Sequence, residues 1–216
     1  MKKIETFHLS KRIKRKYVYE EVNLSLEAGN VYGIVGANGS GKTMLLRTLA
    51  GLILPTKGSI LIDGKECKEI SSMGLNIGLV IENISLYPDM TAMENLRFLA
   101  GIRGGLPDNV LWNLLNRIGL GDAKDKKVSK YSLGMRQKLS LAQAFMESPE
   151  LLLLDEPTNA LDEASIPVIR QMIKEQAENG AIVLIASHNK EDIEELCTKV
   201  YQMSEGRLTL KEEVKE

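Results

Sequence analysis

Only two cysteines occur in the chain, Cys67 and Cys197, far apart and with no second cysteine or histidine beside either. That spacing excludes a disulfide framework and a thiolate metal site, so both read as reduced thiols outside any redox chemistry. Long apolar runs are also missing. The best, residues 151–154 and 181–186, have the length of strands, well short of the roughly 20 residues that cross a bilayer. An excess of one charge is absent as well: 28 Lys and Arg face 29 Asp and Glu, a formal net charge of −1. No global attraction to nucleic acid or to an anionic membrane surface follows, so partners must be recognised locally. The start, Met1-Lys2-Lys3-Ile4-Glu5-Thr6, mixes charges and lacks the apolar core of a secretory signal. Internal repeats and low-complexity segments are likewise lacking. Any service to a membrane is therefore expected from the cytoplasm, through another polypeptide.

What is present suffices for a substantial core: 216 residues, 44% of them hydrophobic and 26% charged. Residues 22–35 alternate polar and apolar positions around Ala28-Gly29-Asn30 and close with the apolar strand Val31-Tyr32-Gly33-Ile34-Val35. A glycine-rich loop follows, then helical spacing of Leu45, Leu46 and Leu49 with Gly51 as a stop. Residues 59–63 and 77–81 read as further strands, the first ending in the Asp63-Gly64 turn. Between residues 91 and 147 the periodicity turns helical. Thr91-Ala92-Met93-Glu94 has the form of a capping box, and two more helices are predicted over 108–118 and 135–146. The apolar runs at 151–154 and 181–186 flank a helical pattern over 163–178 and suit strands covered on both faces. A hairpin around Glu205-Gly206 is expected near the end. The pattern predicts an α/β fold with a mostly parallel core sheet, an N-terminal antiparallel β part and a helical insertion.

Chemistry concentrates at two places. Gly36-Ala37-Asn38-Gly39-Ser40-Gly41-Lys42-Thr43 matches the phosphate-loop pattern GxxxxGK[ST] between a strand and a helix. Glycines let successive backbone N–H groups turn toward phosphate oxygens, and the helix start adds its positive dipole end. Lys42 supplies a mobile charge for the β- and γ-phosphates of ATP, and the Thr43 hydroxyl is a candidate Mg²⁺ ligand. The second place is Asp155-Glu156, which leaves the end of the leucine strand, where ligands gather in open α/β sheets. Asp155 is expected in the Mg²⁺ shell, and Glu156 beside the attacking water.

Between these two motifs lies Tyr131-Ser132-Leu133-Gly134-Met135, followed by Arg136-Gln137-Lys138-Leu139. In that order the set resembles the ABC ATPase family over nearly the whole chain, the pentapeptide looking like a variant of its LSGGQ signature. The resemblance implies a P-loop NTPase domain, with a nucleotide-binding core over residues 1–83 and 148–216 and a helical subdomain over 84–147. It also implies that Ser132 and Gly134 cap the γ-phosphate of ATP bound to a second ATPase subunit. Leu133 and Met135 stand where the family has glycine and glutamine, so those side-chain contacts do not carry over. Asn159-Ala160-Leu161-Asp162 resembles the loop through which two subunits sense each other, although Asp162 equally suits the N-cap of the next helix. His188 resembles the family's switch histidine.

Two positions depart from the pattern. Glu82 takes the place of a glutamine that reaches metal or water, which makes it a further candidate metal ligand. Ile13 takes the place of an aromatic residue that stacks on adenine, with Tyr17 as a substitute; weaker base discrimination is expected. The neighbouring basic run Lys11, Arg12, Lys14, Arg15 and Lys16 reads as a solvated face. The resemblance implies an ATPase at the inner face of the cell membrane, working with a transmembrane permease on a separate chain through a surface near residues 83–91, and not with nucleic acid. The signature together with Glu82 looks like bacterial drug and antimicrobial-peptide efflux systems. The rival readings are a soluble ABC-type ATPase and a nucleotide-binding regulatory subunit.

Overall fold

The computed structural model describes residues 1–67, 74–81 and 86–213. In chain order the first elements are β1 (Lys3–Ile13), β2 (Lys16–Glu27), β3 (Val31–Val35), α1 (Lys42–Leu49), β4 (Lys57–Ile62), β5 (Lys65–Cys67) and β6 (Ile77–Val80). Three helices follow, α2 (Ala92–Gly101), α3 (Asp108–Arg117) and α4 (Leu133–Phe145). The chain then runs through β7 (Leu151–Asp155), α5 (Ile166–Glu178), β8 (Ile182–Ala186), α6 (Lys190–Leu196), β9 (Lys199–Ser204) and β10 (Arg207–Glu213).

The two all-apolar runs decide the layering. A strand with no polar face is stable only with apolar layers on both sides, and β7 and β8 pair in parallel inside a six-stranded sheet ordered β10-β9-β3-β8-β7-β6. Successive side chains point to opposite faces. Leu151, Leu153, Ile182 and Leu184 therefore enter a core with Ile4, Leu26, Ile34 and α1, while Leu152, Leu154, Val183 and Ile185 enter one with Leu96, Leu115, Leu139 and Ile169. The first core is closed by a four-stranded antiparallel sheet, β2-β1-β4-β5, and the second by helices. Cys67 is buried in the first core and Cys197 in the second, where burial pushes the Cys197 thiol up to about 12.

Local chemistry sets the element ends. Asp63-Gly64 and Glu205-Gly206 are both left-handed at each position and join paired strands in two-residue hairpins. Thr91 and Glu94 form the expected capping box: the Thr91 hydroxyl accepts from the Glu94 N–H at 3.2 Å, and the Glu94 carboxylate accepts from the Thr91 N–H at 2.7 Å. That bond holds the Glu94 carboxyl below its usual range.

Two expectations shift. Helix α4 begins at Leu133 rather than 135, because the Ser132 hydroxyl accepts from Met135 N–H and draws the signature segment into the cap. Asp162 is not the N-cap of α5. Its carboxylate instead closes a turn, accepting from the N–H and hydroxyl of Ser165, and the helix starts at Ile166 with proline in its first turn. The basic run is a solvent-facing one, as expected, with Arg12, Lys14, Arg15 and Lys16 exposed; within it Lys11 donates to the Leu54 carbonyl at 2.6 Å, and the Arg12 guanidinium lies 5.9 Å from the Tyr17 ring centroid. Among the described residues no helix is long and apolar enough to cross a membrane.

A Cβ on Gly78 would lie 2.2 Å from the Ala144 carbonyl oxygen, so β6 and α4 approach as closely as glycine permits. Gly78→Ala is expected to lower the unfolding free energy by about 1–3 kcal/mol through overpacking. Loss of the cap in Thr91→Ala is expected to cost about 1 kcal/mol. Urea melts of both variants check the order.

Candidate active site

The ends of β3 and β7 deliver the two halves of the site to one edge of the sheet. After Val35 the chain turns at Gly36, whose φ of 156° and close packing leave no room for a side chain: a Cβ would sit 2.2 Å from the Met203 carbonyl oxygen. Gly39 is different. It is left-handed, and a Cβ there would meet nothing within 4 Å, so the loop's crest faces open space. Gly41 precedes α1 in a left-handed conformation and turns the chain into the helix. Ser40 is buried, and its hydroxyl has no hydrogen-bond partner among the described residues. An orphaned buried hydroxyl is costly unless something polar reaches it. The Lys42 ammonium donates to the carbonyls of Gly36 at 2.6 Å and Ala37 at 3.1 Å, and so lies across the loop.

Thr43, one residue into α1, donates its hydroxyl hydrogen to Asp155 Oδ2 at 2.5 Å. The two residues are 112 positions apart in sequence. A hydroxyl and a carboxylate meeting at a helix N-terminus are hard oxygen donors. No group of three His, Cys, Asp or Glu side chains among the described residues could hold a metal by itself. That combination fits Mg²⁺, which binds through one or two protein oxygens plus phosphate and water. The open crest, the orphaned Ser40 hydroxyl and the ammonium laid across the loop fit the phosphates of ATP.

Glu156 follows Asp155 in a left-handed conformation with φ 50°, which costs a non-glycine residue about 1–2 kcal/mol. Donors converge on its carboxylate. Ser187 Oγ donates at 3.1 Å, His188 N–H at 3.2 Å and His188 Nδ1–H at 2.7 Å. Its backbone N–H donates to Ala186 O at 2.8 Å, which continues the β7–β8 pairing one residue past the sheet.

Two clefts result. One, of about 950 Å³, is lined by Ile13, Lys16, Tyr17, Asn38, Gly39 and Ser40, which joins the β1–β2 hairpin to the loop. Ile13 and Tyr17 thus line the same cleft. The other, of about 920 Å³, includes Leu133, Arg136, Gln137, Asp155, Glu156 and Asn159. Gly134 packs against the turn after Glu156, where a Cβ would lie 2.6 Å from the Ala160 carbonyl oxygen, while Ser132 is exposed at the start of α4, and neither lines the loop's cleft. Glu82 lies outside the described residues.

Sequence reasoning passed over three contacts. Gln137 Nε2 donates to the carbonyls of Glu156 at 3.3 Å and Pro157 at 3.1 Å, which ties α4 to the acidic turn. Lys138, buried in the same helix, pairs with Asp162 at 2.8 Å and holds that carboxyl at about 2. Ser187, the residue after β8, supports Glu156. The spacing of Gln137 and Lys138 just after the signature was visible, but their partners were not.

The family model described as "ABC transporter" matches residues 19–159. An uncharacterized ABC transporter ATP-binding protein of Bacillus subtilis (strain 168), YybJ, is 44% identical over 98% of this chain and 97% of its own length. The lantibiotic transport ATP-binding protein SrtF of Streptococcus pyogenes is 34% identical over 95% of the chain and 89% of its own. The bacitracin transport ATP-binding protein BcrA of Enterococcus faecalis is 39% identical over 95% of the chain, which spans 67% of that relative. Among solved structures, the dimeric bacterial ABC transporter cassette MJ0796 superposes with a TM-score of 0.90 at 25% identity, over 99% of both chains. With its phosphate loop, signature-like helix start and acidic strand end following one another in that order along the chain, it belongs to the ABC transporter family, as an ATP-binding and ATP-hydrolysing subunit.

Proposed function

We propose that this subunit binds Mg-ATP between residues 36–43 and the Asp155-Glu156 turn, dimerises on it, and uses hydrolysis to drive export through a transmembrane permease on a separate chain. The observation that carries the reading is the Thr43–Asp155 hydrogen bond, with Glu156 held beside His188 on the same edge. In this scheme backbone N–H groups of the loop, the Ser40 hydroxyl and the Lys42 ammonium hold the phosphates. Bound Mg²⁺ supplies charge neutralisation on the phosphates. Thr43 and Asp155 are the residues that would hold it, with Glu82 as a further oxygen. Glu156 takes a proton from the attacking water as its oxygen bonds to the γ-phosphorus, and the bridging oxygen leaves on ADP. His188, bonded to Glu156, orients that carboxylate and faces the γ-phosphate. Ile13, with Tyr17, contacts the base.

Each protomer offers Ser132 and Gly134 to the nucleotide of its partner, so ATP holds the pair together and hydrolysis reopens it. The helical part over residues 84–147 passes that motion to the permease at the inner face of the cell membrane. The names of the relatives that transport bacitracin and lantibiotics support a peptide antimicrobial as cargo. Reconstitution with the membrane protein encoded beside it tests this: a peptide antibiotic should stimulate ATP turnover, and no stimulation by bacitracin or a lantibiotic would remove the cargo assignment.

Lys42→Ala is expected to weaken Mg-ATP binding by about 10- to 100-fold, the loss of a charge-assisted bond worth about 1.5–3 kcal/mol, and to abolish turnover. Isothermal titration and phosphate release check it. Glu156→Gln is expected to keep ATP affinity, lose about 10²- to 10⁴-fold in kcat and accumulate an ATP-bound dimer on gel filtration.

A further inference from the structure

Behind the acidic turn lies a buried ionic chain that the proposed chemistry does not use. Asp192, in the first turn of α6, is fully buried. Its Oδ2 accepts from the Thr158 hydroxyl at 2.5 Å, and its Oδ1 accepts from Arg170 Nε at 2.8 Å. Arg170 is 7% exposed on α5 and reaches Glu195 at 2.8 Å and Glu191 at 3.2 Å. Burying such charges is costly, and an apolar cluster of equal volume would often stabilise a fold as well. What the chain of bonds does is geometric. Thr158 stands two residues after Glu156, and Asp192 four residues after His188.

The two segments that carry Glu156 and His188 are thereby cross-linked twice. On the solvent side the link is Glu156 with Ser187 and His188; Ser187 Oγ in turn accepts from Asn189 N–H, and Asn189 caps α6. On the interior side it is Thr158 with Asp192, anchored by Arg170 to the helix whose Ile169 and Ile173 fill the core. The Glu156 backbone is itself held by Ala186 O and Gln137, and the inner link adds a restraint on the turn that follows it. We infer that Thr158 and Asp192, anchored by Arg170, are positioning residues for ATP hydrolysis, holding the Glu156 carboxylate and the His188 ring in one geometry. They touch no reacting atom. Nucleotide affinity rests on the loop after β3 and does not depend on them, whereas a shift of about 1 Å in a catalytic group can cost about 100-fold in rate.

The inference rests on Glu156 as the base, so Glu156→Gln accompanies the test: if it retains turnover, that reading fails, not this one alone. Thr158→Val keeps the shape and removes the donated hydrogen. In the full chain its kcat should fall about 10- to 100-fold, with KM for ATP within about twofold and a longer-lived ATP-bound dimer; Thr158→Ser should restore kcat to within about threefold of the parent. Wild-type kcat in Thr158→Val overturns the inference, as does a Thr158→Ser variant equally slow, or an affinity loss that parallels the rate loss. Should Thr158→Val not fold, Asp192→Asn, which keeps the volume and an acceptor for Thr158 but not the charge facing Arg170, decides on the same kcat and KM readouts.

Discussion

A single hydrogen bond over a buried strand gives the rest of the structure its meaning: the Thr43 hydroxyl meets Asp155 across the end of β8. It exists because β3, β8 and β7 run parallel and stop at one level, so a loop leaving the first and a turn leaving the third face each other. Parallel strands need covered faces, and the antiparallel sheet on one side and the helices on the other supply the cover. The core is the device that aims these two side chains.

Around that bond the backbone is held in conformations that an isolated chain would avoid. Glu156 is left-handed, Gly36 is pressed against the Met203 carbonyl, and the Ser40 hydroxyl is buried without a partner among the described residues. Strain and unsatisfied polar groups gather where surrounding packing over-determines the geometry. Here they gather at the ends of β3 and β7. The same edge is tied to the helical part: Gln137 holds the carbonyls after the acidic pair, and Lys138 holds Asp162. The segment carrying Ser132 and Gly134 starts the same helix, α4, so these contacts join that segment to the acidic turn within one subunit.

Much of this was legible beforehand where a pattern is short-range. The phosphate loop occupies eight consecutive residues, the capping box four, and the two hairpin turns two each, and all appear where the sequence placed them. The starts of α4 and α5 were not legible. They turn on whether Ser132 or Asp162 spends its side chain on a helix cap or on a tight turn, and both choices satisfy the same local N–H groups. The Arg12–Tyr17 contact was hidden because it depends on the register of the β1–β2 hairpin.

The sequence alone determined where the core strands β3, β7 and β8 run and where the chain must turn, because these depend on residues within a few positions of one another; β1, whose basic end hid its strand character, was not legible. Tertiary structure alone decided which groups meet: Thr43 with Asp155, Glu156 with His188 and Ser187, Thr158 with Asp192. Such pairs span dozens of residues, and no local preference encodes them. They follow from strand order and from which face each helix covers, quantities set by the burial of the whole core at once.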